Sequence, residues 1–71
     1  MIKEKDDFAK NLRMLRRSKG LSQAQLAKEL GVSCSIVAMW EQERREITKY
    51  HLKIIAGYFK ISIDDLIGFD Y

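Results

Sequence analysis

The stretch Leu21-Ser22-Gln23-Ala24-Gln25-Leu26-Ala27-Lys28-Glu29-Leu30-Gly31-Val32-Ser33, continued by Cys34-Ser35-Ile36-Val37-Ala38-Met39-Trp40-Glu41, decides how this chain folds. Ser22 and Gln25, three positions apart, carry the signature of a capping box, in which each side chain satisfies the other residue's free backbone donor. Leu26, Ala27 and Leu30 then supply an inward face. Gly31 stops the helix after about two turns, since glycine enters the left-handed conformation without a Cβ penalty. Ser33 caps the next helix, whose buried side is Val37 and Trp40. Only Gly31, Val32 and Ser33 lie between the two. Ala27 is small where the following helix crosses close to it, and Val32 and Val37 plug the angle. The segment from about residue 22 to 41 therefore reads as a helix-turn-helix.

The flanks read as further helices. From Asp7 to Ser18 the apolar residues Phe8, Leu12 and Leu15 recur at i, i+4 and i+7, and Gly20 follows a basic last turn. Thr48 caps a fourth helix with Leu52, Ile55, Ala56 and Phe59 inward, and Ser62, three residues before Asp65, opens a short fifth holding Leu66 and Ile67. No segment alternates like a strand. With no proline, four isolated glycines and no repeat, residues 1–71 are predicted to form a single all-α domain. A domain of this size buries only about 60% of the surface its unfolded chain exposes, which favours binding over an elaborate catalytic cleft.

Composition narrows the setting. The chain is 46% apolar and 32% charged, with one cysteine, Cys34, so neither a disulfide framework nor a cysteine-rich zinc site is expected. No apolar run approaches the roughly 18 residues of a membrane span, and Lys3-Glu4-Lys5-Asp6-Asp7 after Ile2 is unlike a signal-peptide core. A cytoplasmic protein without membrane contact is the expectation. Residues 1–20 hold seven basic and three acidic side chains, so the rest of a chain of net charge +3 sums to −1. A basic third on a small domain is the footprint of a polyanion binder, although solvated helices can be equally basic.

The run Leu21 to Ser33, followed by Val37, Trp40 and Glu41, resembles the phage-repressor and Cro-like (XRE-type) helix-turn-helix family of bacterial transcriptional regulators. Arg16 ahead of Gly20, then Leu52, Ile55-Ala56, Phe59, Ile61-Ser62 and Asp65-Leu66-Ile67-Gly68, extend the similarity over roughly residues 8–68. The resemblance implies a compact five-helix domain that binds double-stranded DNA sequence-specifically and regulates transcription, most simply as a repressor. The helix beginning after Ser33 would then lie in the major groove.

Carried over position by position, the resemblance makes Gln23 and Ser33 phosphate contacts, Gln23 at a helix start whose free N–H groups favour an anion. The plain alternative for Gln23 is an exposed first-turn glutamine. Cys34, Ser35, Ile36, Ala38 and Met39 occupy the places from which the family reads bases, Ile36 at the edge. None of these is Arg, Lys, Asn or Gln, so bidentate pairing to guanine or adenine is not available from this face. Ser35 can make one hydrogen bond, while Ile36, Ala38 and Met39 can pack on thymine methyls, which points to A·T-leaning or shape-based selection. Otherwise the face reads little and the domain binds weakly. Gln42, Arg44 and Arg45 would clamp the sugar-phosphate backbone; alternatively the arginines are solvated charges offset by Glu43 and Glu46. Lys3, Lys5, Lys10, Arg13 and Lys19 are less specific. Arg16 and Glu41 match the family's internal ion pair.

The remaining candidates are weighed against plainer roles. Trp40 reads as core, not as a base-stacking platform. Cys34 at a helix start invites a redox role that nothing else supports. His51, the single histidine, has no partner for a metal site and is expected at the surface. Tyr50, Ile54 and Tyr58 recur every four residues off the core stripe, and Phe69 and Tyr71 add apolar surface. They form a candidate face for a homodimer on DNA, or else thicken a small core. No catalytic constellation, metal cluster or phosphate loop is present in the sequence, so neither an enzyme nor a cofactor nor a small-molecule substrate is expected. At this length no effector domain is expected beside the binding domain, so signals would be expected to act through partners. The rivals are an antitoxin or restriction-modification controller of the same fold, and a module that binds a protein partner through the 34–39 face or the tyrosine stripe.

Overall fold

The computed structural model describes residues 7–42 and 47–68, and these hold five helices and no strand: α1 (Phe8–Ser18), α2 (Gln23–Leu30), α3 (Cys34–Glu41), α4 (Lys49–Phe59) and α5 (Ile63–Ile67). The fold is the all-α, five-helix arrangement expected from the sequence. Four of the five helices start at a hydroxyl residue. The side chains of Ser22, Ser33, Thr48 and Ser62 accept from the backbone N–H three residues on, at 3.0–3.2 Å. At α2 the box is complete, since the Ser22 N–H donates to Gln25 Oε1 at 2.7 Å.

Three helix ends close in the same way. A left-handed residue, Gly20, Gly31 or Lys60, is followed by an N–H that donates back five residues: Leu21 to Arg16, Val32 to Ala27 and Ile61 to Ala56, at 3.0–3.1 Å. This reversal satisfies carbonyls that a helix C-terminus otherwise leaves open. Lys60 is the only non-glycine residue with positive φ among the described residues (φ 60°).

Each helix contributes to one core: Phe8 and Leu12 from α1, Leu26 and Ala27 from α2, Val37 and Trp40 from α3, Ile55 and Ala56 from α4, Leu66 from α5. Phe8 meets the Trp40 indole edge to face, with ring centroids 6.4 Å apart. Leu15, Leu52 and Phe59, expected inward, lie half-buried around this centre. Asn11 locks α5 onto α1, its side-chain amide donating to the Leu66 carbonyl at 3.0 Å while the Asp7 N–H donates to Ile67 at 2.7 Å. His51 departs from expectation. It is half-buried, its ring 5.6 Å from that of Trp40, because the cap at Thr48 sets the first turn of α4 against the end of α3.

Candidate nucleic-acid interface

α3 has two unlike sides. Val37, Trp40 and Glu41 are buried, whereas Cys34 and Ser35 are exposed and Ala38 and Met39 partly so. Ile36 is half-buried and packs against the core, since it sits beside Val37 at the border of the buried stripe. The outward side of α3 is thus left uncovered by the described residues, and it carries no formal charge. At its start, Ser33 Oγ accepts from the Ile36 N–H at 3.2 Å, which leaves the hydroxyl proton free to donate elsewhere. At its end, Gln42 is exposed.

Beneath that surface, polar groups from α1 and α2 converge on Glu41 of α3. Its carboxylate accepts from Arg16 Nε at 2.7 Å and from Arg16 Nη2 at 3.0 Å, a two-pronged pair with the carboxylate side chain only 1% exposed. Arg16 also donates to the Leu21 carbonyl at 2.8 Å, so the same guanidinium fastens the turn between α1 and α2. The hydrogen bond to Glu41 pushes the Arg16 guanidinium above its ordinary value, against the opposing effect of desolvation. Two further partners were not apparent in the sequence. Gln23 Nε2 donates to Glu41 Oε1 at 3.1 Å, and Arg13 Nη1 donates to the Glu41 backbone carbonyl at 2.9 Å. Arg13 lies three residues before Arg16 and so shares its helix face, a signal that was available. Nothing in the sequence pairs Gln23 with Glu41. Gln23 is therefore neither a free first-turn glutamine nor fully buried: it is half-buried, with one amide hydrogen engaged.

The tyrosine stripe is divided by the fold. Tyr50 is 67% exposed, whereas Tyr58 is half-buried against the core, with Lys19 Nζ 5.5 Å from its ring centre. Ile54 lies between, half-buried. Arg44, Arg45, Phe69, Tyr71, Lys3 and Lys5 lie outside the described residues. Cys34 is a free, exposed thiol. Among the described residues no group of three His, Cys, Asp or Glu side chains could hold a metal ion, and no helix is long and apolar enough to cross a membrane.

Comparison with known proteins bears on this geometry. The chain is 36% identical over 62 residues to the HTH-type transcriptional activator BcrR of Enterococcus faecalis, a match covering 87% of this chain and 30% of that protein. It thus spans about a third of the length of that curated relative. A transcriptional regulator from Listeria innocua superposes with a TM-score of 0.87 at 33% identity, over 94% of this chain and 63% of that one. The P22 c2 repressor, solved in complex with a synthetic operator, superposes with a TM-score of 0.78 at 27% identity, over 84% of this chain and 91% of the repressor. Residues 12–66 match the family described as helix-turn-helix, a span that holds α2, the turn and α3 whole. On that match and these relatives, the chain belongs to the phage-repressor-like, XRE-type helix-turn-helix family.

Proposed function

We propose that this chain binds double-stranded DNA as a transcriptional regulator, laying the outward side of α3 in the major groove. The observation that carries this reading is the two-sided α3. Its inner side is fixed by Val37, Trp40 and Glu41, and its outer side is exposed at Cys34 and Ser35 and partly exposed at Ala38 and Met39. A helix of this diameter fits the major groove, the docking mode general to helix-turn-helix domains, which supports the reading. Ser35 supplies one hydrogen-bonding group, while Ala38, Met39 and the edge of Ile36 offer apolar contact to thymine methyls. Gln23 and Ser33 stand at helix N-termini suited to phosphate, Gln42 offers an exposed side-chain amide at the end of α3, and Arg44 and Arg45 add positive charge to that clamp. The simplest regulatory consequence is repression by occupying an operator; the relative named as an activator keeps the opposite sign open to experiment.

Two copies on one site would double the phosphate contacts and space their reading helices by about one helical turn, ~34 Å. Tyr50 is the exposed end of the face through which such pairing would run. Selection of bound duplexes from a random pool tests the reading: a recovered A·T-rich motif, palindromic if two copies pair, is the expected result. Recovery of no motif, with no retention of duplex above background, contradicts it and favours the protein-interaction rival.

A further inference from the structure

We infer that Glu41 is a positioning residue for DNA binding: paired with Arg16, it holds the Gln23 carboxamide in the one orientation that keeps an N–H free for a phosphate. This rests on the DNA-binding reading above and adds to it a role for a buried group that touches no DNA. A deprotonated carboxylate only accepts hydrogen bonds, so the amide nitrogen of Gln23, not its oxygen, must face Glu41 Oε1, as the 3.1 Å contact shows. Flipping the amide would set oxygen against oxygen. One of the two amide hydrogens is thereby used and the other remains, and no described residue accepts it.

The surroundings suit that hydrogen to an anion. In the first turn of α2, Ser22 Oγ takes the Gln25 N–H and the Ser22 carbonyl takes that of Leu26. The N–H groups of Gln23 and Ala24 are left over, at the positive end of the helix. A bare carboxylate here would repel a phosphate. Arg16 cancels it through two hydrogen bonds, at 2.7 and 3.0 Å. The contact also links the first residue of α2 to the last of α3, so the phosphate contact and the reading helix keep a fixed spacing before DNA arrives. Ordering Gln23 in advance removes part of the entropy that binding would otherwise consume.

A double-mutant cycle on duplex binding tests this, with thermal melts checking that each variant is folded. Gln23→Ala should weaken binding of the otherwise unaltered chain about tenfold, the loss of one hydrogen bond to a charged group. In a chain carrying Arg16→Met and Glu41→Leu, a swap that keeps the site filled with apolar side chains, the same change should cost less than about threefold. An equal loss in both backgrounds overturns the inference, because Gln23 then acts without Glu41. No loss in either background overturns it together with the phosphate role of Gln23, while failure of the unaltered chain to bind any duplex overturns the function beneath it. Should the double variant not fold, the side-chain amide signals of Gln23 in the unaltered chain decide. On adding duplex, one Nε2 proton should stay at its hydrogen-bonded position and the other shift; two protons that respond alike contradict the assignment.

Discussion

Glu41 gathers four hydrogen bonds from three side chains, and it does so at the end of the helix whose placement matters most. Removing one member of a buried pair strands the other. Arg16→Met alone is therefore expected to lower stability by about 3–5 kcal/mol in urea unfolding, and adding Glu41→Leu should return most of that loss. The pH dependence follows from the raised Arg16 value. A cation whose folded-state affinity for its proton exceeds the unfolded one contributes stability that is fully present below the ordinary arginine range. That contribution is lost only as pH rises through the folded value, so melts across neutral pH should show none of it disappearing. On the DNA side, Gln23→Ala is expected to weaken binding to all sequences alike, whereas Met39→Ala should change which sequence is preferred. Unchanged preference in a competition assay would remove Met39 from the reading face. Arg16 and Glu41 stand out in the sequence only through the family resemblance. Arg13 shares the Arg16 face of α1, whereas the contact of Gln23 with Glu41 spans 18 residues of chain and has no local signature.

The helix ends divide into those that local chemistry announces and those, such as the end of α4, that it does not. Ser22, Ser33, Thr48 and Ser62 are legible because a hydroxyl can reach the N–H three residues on whatever the rest of the chain does. Gly20 and Gly31 are legible for a matching reason at the other end. Lys60 is not. It takes the same left-handed turn with a side chain that disfavours it, and only the docking of α5 after α4 demands it. Lys60→Gly should accordingly stabilise the domain by about 1 kcal/mol, read as a rise in melting temperature. Gly31→Ala should do the reverse by about 1–2 kcal/mol, wholly through the backbone, because a Cβ there meets nothing within 4 Å. His51, expected at the surface, is half-buried, and Tyr58 lies against the core as the plainer alternative had it, for a related reason. Helical spacing gives a side chain's direction but not the neighbour, Trp40 or Lys19, that covers it.

In a chain this small, five short amphipathic helices can bury their apolar faces only against one another, and the core of nine buried residues draws on all five. That is why the architecture could be read from caps, glycines and apolar spacing. What the helices present outward is settled less directly, since an exposed residue is constrained by its partner and not by the fold. On the proposed reading, the uncharged outer side of α3 puts the weight of affinity on phosphate contacts by Gln23, Ser33, Gln42, Arg44 and Arg45. Binding of the full chain to mixed-sequence duplex, titrated with salt, tests that most directly. With two phosphates neutralised, by Arg44 and Arg45, affinity should fall about tenfold between roughly 50 and 200 mM salt, linearly on logarithmic axes. Affinity that ignores salt, or no binding even at the lowest salt, would contradict the account.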